Sequence, residues 1–290
     1  MSERTVISEA INLSAGKGRD SMLDAIIIAG GSNSGQLRKC SNEASEAMVR
    51  IGPKPMVRYV VDALIESKRI NKIVVTGPAE LNKIFPEDSI EVAESEGTVV
   101  GNAVAAISLL DSAKPVLIAT CDIPLLTAEA VNDFIDSCSY EDADFFYTIV
   151  PMEEVERHFP GITRTAVKVK EGTFTGGNLF IVNPEAVPRS AAKAQEFVDY
   201  RKSPLKLSKL LGLKFVLKFL FGQLAIPELE KKVSELLTIR VKAVISLFPE
   251  IGIDVDKPSD YFIVFQHLER DFPAVQAAEG LEDIGCSKKL

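Results

Sequence analysis

Two groups of residues in this 290-residue chain have the types and spacing to do chemistry on an anion. The first is Ala25–Gly31, AIIIAGG, an apolar run that ends abruptly in a glycine pair. Glycines directly after a buried strand let backbone N–H groups approach an anion closely. Ala29, Gly30, Gly31 and Ser32 are therefore candidate phosphate contacts. The polar stretch that follows, SNSGQLRK, adds Gly35, Arg38 and Lys39, whose charges would offset what backbone dipoles leave unbalanced. The second group is Ala119–Thr127, ATCDIPLLT, where an apolar run ends in a lone carboxylate, Asp122. A carboxylate at the end of a buried strand needs a partner, and a divalent cation shared with substrate phosphates is a natural one. An Asp capping a neighbouring backbone turn is the plainer reading of the same residue. A third segment, GIDVDKPSDY, offers Asp254 and Asp256. Alternation places both on one side of an extended strand, so either could complete a metal site with Asp122. Asp260 reads as a first-turn residue of the helix that starts at Pro258.

The elements that must position these residues follow an α/β alternation. Residues 24–29 form an isoleucine-rich strand buried on both faces. Pro55–Ser67 places Met56, Tyr59, Val60, Ala63 and Leu64 at helical spacing behind a proline. Lys72–Thr76 reads as a strand, residues 98–110 as a helix, and Pro115–Thr120 as another buried strand. Thr127 caps a helix that runs to Cys138 with Glu129 in its first turn. This alternation predicts a three-layer α/β/α fold around a mainly parallel mixed sheet. Right-handed crossovers then gather the loops after each strand at one edge, so Gly30, Gly31 and Asp122 become one place in space. Beyond Asp144, Phe145–Val150, Thr165–Lys170 and Asn178–Val182 are strand-like, the last two separated by EGTFTGG, a turn-rich connection. Residues 189–236 are mostly helical in pattern, Val241–Leu247 and Ile251–Val255 return to the sheet, and Pro258–Arg270 is a final helix. The expected organisation is an N-terminal extension at 1–22, one domain at 23–271 with a helical basic insert at about 189–240, and a tail at 272–290.

Composition removes several function classes. A net charge of −8 is wrong for a general nucleic-acid binder. Cys40, Cys121, Cys138 and Cys286 are scattered without a CxxC pair, which argues against a zinc site or disulfide framework and fits a reducing cytosol. Two histidines, His158 and His267, leave little basis for a histidine-based triad or metal site. Neither familiar phosphate motif is present: SAGKGRDS lacks the first Walker glycine, and AGGSNSG misplaces the glycines of GxGxxG.

AIIIAGG, a basic loop, and GPKPM opening a helix resemble the N-terminal signature of the sugar-nucleotide and molybdenum-cofactor nucleotidyltransferases, which share a GT-A-like, Rossmann-like fold. The resemblance implies that Lys54, just before the helix, reaches the phosphates of a nucleoside triphosphate. A lysine there would otherwise be a solvated charge at the unfavourable end of the helix dipole. TCDIPLLT fits the family's (S/G/C)DxPLL motif, and GIDVDKPSDY resembles its VDxPxD segment, in which the residue matching Asp256 completes the metal site. GTVVGNA, with Gly97, Thr98 and Asn102, falls where the family reads the nucleobase; an ordinary helix N-terminus is the alternative. TGGNLFIVNP is similar to a segment that lines the acceptor pocket, which implies roles for Gly176, Gly177 and Asn178. Arg164 and Lys168, on the preceding strand, are candidates for an acceptor phosphate, with plain surface charge as the alternative. The resemblance covers roughly residues 24–184 and 245–270, and the span from Gly31 to Lys54 is longer than the family's usual one.

The implied reaction is Mg²⁺- or Mn²⁺-dependent transfer of a nucleoside monophosphate from an NTP to a small-molecule acceptor, with catalytic roles for Lys54, Arg38 and Asp122. A glycosyltransferase of the same fold, using Asp254-Val255-Asp256 as a DxD motif, and a non-catalytic nucleotide sensor are the rival readings. The insert is a separate matter. From Arg201 to Lys218 there are six basic residues and no acidic ones. They read as two short amphipathic helices joined at Gly212, with Lys202, Lys206 and Lys209 on one face and Lys214 and Lys218 on another. Central lysines at about 2.5–3.5 kcal/mol each exclude a bilayer span. The helices could cover the sheet or a second copy in a homo-oligomer, form a lid over a phosphorylated acceptor, or make peripheral membrane contact through 201–221.

Overall fold

A computed structural model of the protein describes residues 22–110, 114–200 and 204–269. The expected extension, apart from Met22, and the expected tail lie outside the described residues, as do Arg201 and Lys202 of the insert.

The apolar run at the start becomes β1 (Leu23–Ile28), an interior strand of an eight-stranded sheet. It pairs in parallel with β4 (Ile70–Thr76) on one side and β6 (Val116–Thr120) on the other. Its alternation feeds two cores: Ala25 and Ile27 pack into one, Ile26 into the second. Burial on both faces is why the run is continuously apolar. The first core also takes Val57, Val60 and Leu64 of α1 (Met56–Glu66) and Val131, Phe134 and Ile135 of α3 (Ala128–Ser137). The second takes Ala106 of α2 (Val99–Ile107), so the sheet is covered on both faces. Around β1 lie β5 (Ile90–Ala93) on the outer side of β4, and β9 (Gly172–Val182) beside β6. Beyond β9 come β7 (Phe145–Pro151) and β10 (Val241–Ile245), while β8 (Ala166–Val169) pairs with β9 off the main path. The strand β9 runs antiparallel to β6, β7 and β8, and the other pairings of this sheet are parallel. The result is the expected three-layer α/β/α architecture. Outside the sheet, β2 (Arg50–Ile51) and β3 (Lys54–Pro55) form a two-residue hairpin that leads into α1.

Three expectations change. EGTFTGG is not a connection: the turn is at Lys170 and Glu171, and the strand β9 already begins at Gly172. Its glycines mislead because they serve packing within a strand. A Cβ on Gly176 would lie 1.9 Å from the Tyr147 hydroxyl, and one on Gly177 would lie 2.1 Å from Thr148 Oγ1. Ile251–Val255 does not rejoin the sheet. It is a 3-10 turn at Pro249–Gly252 followed by an extended loop, held by the Val255 N–H on the Asp122 carbonyl (2.9 Å). A short helix, α4 (Met152–His158), directly follows β7 where no element was expected.

The insert matches its pattern. After α5 (Val187–Tyr200) come α6 (Pro204–Leu211) and α7 (Leu213–Leu220), broken at Gly212, whose φ of +90° is one that a side chain would resist. The helix α8 (Ile226–Leu237) and α9 (Pro258–Leu268) complete the chain as described. Among the described residues, no helix is long and apolar enough to cross a membrane.

Candidate active site

The register β1–β6 sets Ile28 beside Thr120, so the glycine pair and Asp122 emerge from neighbouring strands at the same edge. At Gly30 the chain passes so close to the segment before α2 that a Cβ would lie 2.3 Å from Ser95 Oγ and 2.8 Å from Asn102 Nδ2. Only glycine allows that approach. Asn102 is buried and its Oδ1 accepts from the Glu96 N–H (2.6 Å) and the Ser95 hydroxyl (3.1 Å). Gly97 turns with φ +79°, and Thr98 caps α2 by accepting from the Gly101 N–H (3.0 Å). Thus Asn102, distant in sequence, stands against Gly30, which lines a cleft. The cleft measures about 560 Å³ and is lined by Gly30, Gly31, Ser32, Met48, Pro78 and Ser95 among others. Neither the Gly30 nor the Gly31 N–H donates to another described residue.

The long loop after Gly31 is tied back rather than loose. Asn33, buried, donates through Nδ2 to the carbonyls of Ser41 (3.1 Å) and Glu43 (3.0 Å). The Glu46 N–H and the Ser45 hydroxyl both reach the Gly31 carbonyl (3.2 Å each). Arg38 folds onto its own loop, donating to the Asn42 and Glu43 carbonyls at 3.0 and 2.9 Å. Lys54 sits in β3, not in the helix, with its ammonium 2.6 Å from Asp62 and 5.5 Å over the Tyr59 ring.

At the other end of the cluster, Asp122, Asp254 and Asp256 bring one carboxylate oxygen each to within 4.8 Å of the others. Both candidates from the late segment are therefore present together, through a backbone tie rather than strand alternation. Burial raises the Asp122 carboxyl above the ordinary carboxylate range, and the nearby Asp256 charge raises it further. Asp122 Oδ1 is buried and has no hydrogen-bond partner among the described residues. Three convergent carboxylates with an orphaned oxygen fit a hard divalent cation.

Arg164 corrects its expected place. It lies before β8, only 7% exposed, paired with the Asp254 carboxylate and donating to the Asp254 carbonyl (3.0 Å). It also stands 3.8 Å from Asp260, a first-turn residue of α9 as expected. A buried guanidinium balancing the carboxylates is neither surface charge nor a free phosphate contact, and its desolvation lowers its own pKa. Lys168 is on β8 as expected and exposed, with its stem against Gly222, beyond α7. Asn178 stays at the edge, donating through Nδ2 to the Ile251 carbonyl (3.0 Å) beside Gly176 and Gly177.

The comparisons with known proteins can be set on this geometry. Residues 25–190 match the MobA-like NTP transferase domain, a span that contains the glycine pair, Lys54 and Asp122. The chain belongs to the MobA-like NTP transferase family. It is an enzyme of the nucleotidyltransferase class. Among solved structures it is similar to a hypothetical transferase from Thermus thermophilus, at 33% identity and a TM-score of 0.74, with 83% of this chain and 99% of that one covered. CMP:2-keto-3-deoxy-manno-octonic acid synthetase complexed with CTP shares the fold at 11% identity and TM-score 0.56, covering 87% of this chain and 100% of its own. The 4-diphosphocytidyl-2C-methyl-D-erythritol synthase of Anaerococcus prevotii does so at 12% and 0.50, covering 86% and 99%. No curated protein matches the chain.

One residue of this MobA-like site escaped the sequence. Glu46 has an Oε2 2.9 Å from where a Gly31 Cβ would stand, and burial, then the charges of Asp122 and Asp256, raises its carboxyl. Nothing in its local spacing marks it, because it reaches the site only through the fold of the long loop.

Proposed function

We propose that this MobA-like enzyme moves a nucleoside monophosphate from an NTP to an oxygen of a small acceptor, phosphorylated or similarly nucleophilic, and releases pyrophosphate. The observation that carries the reading is the convergence of Asp122, Asp254 and Asp256, with an orphaned Asp122 oxygen, one strand away from two unspent glycine N–H groups. The Gly30 and Gly31 N–H groups would donate to phosphate oxygens, with Ala29 and Ser32 shaping the loop. Lys54, drawn from Asp62, and Arg38, drawn from its own carbonyls, would neutralise the leaving pyrophosphate. Gly97, Thr98 and Asn102 would face the nucleobase. Asp122, Asp254 and Asp256 would hold Mg²⁺ or Mn²⁺, which when bound supplies positive charge to the reacting phosphate. Gly176, Gly177 and Asn178 would border the acceptor, Asn178 keeping its Oδ1 for an acceptor hydroxyl. An acceptor that already carries an anionic oxygen needs no general base, so positioning and charge neutralisation carry the reaction. The undisulfided Cys121 and Cys138 suit a reducing cytoplasm.

The test is pyrophosphate release with Mg²⁺, each of the four common NTPs and a panel of phosphorylated acceptors, alongside Asp122→Ala. Release that requires one NTP and one acceptor and vanishes in the variant is the expected result. Binding of NTP without release across the panel would turn the reading toward a sensor, and product formation only from a nucleotide sugar would turn it toward a glycosyltransferase.

A further inference from the structure

The insert ends in a surface that the transfer reaction does not use. Along α7, Leu213, Leu217 and Leu220 follow i, i+4 and i+7 and are 64%, 45% and 60% exposed, and Phe221 continues the stripe at 72%. No other large apolar side chain among the described residues is as exposed as Phe221. The opposite side of the helix is occupied inward by Val216, which is buried. Lysines rim this stripe. Lys168 packs its stem on Gly222, the residue after Phe221, with its Cγ 3.0 Å from where a Cβ would stand. Lys170 is on the same turn, its N–H bonded to the Leu224 carbonyl (2.9 Å), and Lys218 projects from α7 itself. Lys206 and Lys209, both exposed, precede the glycine break. The acids nearby are Glu228, which pairs with Lys218 (3.0 Å) and Lys170 (3.5 Å), and Glu171, which accepts from the Ile226 N–H at the start of α8 (3.1 Å). Positive charge thus gathers here in a chain whose net charge is −8.

We propose that α7 and the Phe221 turn dock the enzyme on an anionic lipid surface, the leucines and Phe221 entering the headgroup boundary while the lysines meet the lipid charges. An apolar stripe with lysines at its margin suits a helix lying in that plane, since long lysine stems let the ammonium stay wet. A second copy fits less well, because a two-fold pairing of this face sets lysine rim against lysine rim. A protein partner of neutral surface offers nothing to the lysines beyond the pairing that Glu228 already gives Lys218 and Lys170, whereas anionic lipids supply diffuse negative charge to all of them.

The chain contains no tryptophan, so Phe221→Trp in the full-length protein gives a single reporter on the stripe. Vesicles of phosphatidylglycerol mixed with phosphatidylcholine should shift its emission to the blue and carry the protein down in sedimentation. Pure phosphatidylcholine should do neither, and raised salt should weaken the effect. Leu217→Glu with Phe221→Glu, both exposed, should lower vesicle partition about tenfold or more with thermal stability retained. Lys170→Gln with Lys209→Gln should lower it by a smaller factor and flatten the salt dependence. An unshifted emission with every vesicle overturns the proposal. So does equal binding to neutral vesicles, or a blue shift that tracks protein concentration without lipid, which would assign the face to a second copy. Nucleotidyl transfer is not read in any arm, so these outcomes stand apart from the reaction proposed above.

Discussion

The acidic and the basic candidate residues are held in opposite states. At the acidic end, Asp122, Asp254 and Asp256 already converge, anchored by the Val255–Asp122 backbone bond, with Arg164 as a buried counter-charge. At the basic end, the charges are present but spent: Lys54 on Asp62, Arg38 on two loop carbonyls. The acidic end holds mutual repulsion that a cation would relieve, and the basic end holds bonds that a triphosphate would have to exchange. On the proposed reading, one would be assembled before its ligand arrives, and the other completed by it.

The sharpest way to break this contrast is at Asp122. Asp122→Ala should lower pyrophosphate release about 10³-fold, while Asp122→Asn should raise the metal-free melting temperature, because a buried carboxylate facing Asp256 is traded for a neutral group. A fall in that temperature would mean that the cluster is stabilising as it stands and is not primed for a cation. Next comes the basic end. Lys54→Ala should cost about 10²-fold in kcat/KM. Asp62→Asn should release Lys54 beforehand and lower KM for the NTP, so an unchanged KM would show that the lysine does not move between partners. Arg38→Ala, exposed and bonded only to backbone, should cost about tenfold, equivalent to one charge-assisted hydrogen bond.

The smallest effect is one of pH. Asp122 and Glu46 have carboxyls raised by burial, so between the ordinary carboxylate range and their raised values the folded protein binds more protons than the unfolded chain. Metal-free stability from these groups therefore rises as pH falls through that window, and a cation must displace those protons. Melting curves with and without Mg²⁺ should diverge toward neutral pH and converge toward acid. Parallel curves across the window would sink the idea that the cation and these protons compete.

The central strands were legible because burial on both faces leaves a local trace: Ala25–Ile28 and Val116–Ala119 are apolar at every position and lead on to the glycine pair or to Asp122. Thr127 was legible because capping acts within one turn. EGTFTGG was misread because glycine has two uses, turning a chain and admitting a neighbour, and at Gly176 and Gly177 the neighbours are Tyr147 and Thr148 on another strand. Arg164 was misread because its charge pattern says nothing of depth; the Asp254 and Asp260 that bury it are about 90 residues away.

By itself the sequence determined the alternation of buried strands and amphipathic helices, the glycine pair, the lone Asp122, and the break of the insert at Gly212. These depend on residue type and near spacing, which act through backbone freedom, capping and local periodicity. Only the tertiary structure decided which charges meet: that Asp254 and Asp256 both reach Asp122, that Arg164 balances them, that Glu46 leans on Gly31, and that Lys168 lies against Gly222 beside the Phe221 turn. Electrostatic partnership falls off with distance in space and is indifferent to separation along the chain, so it is settled only when the sheet has brought distant loops to one edge.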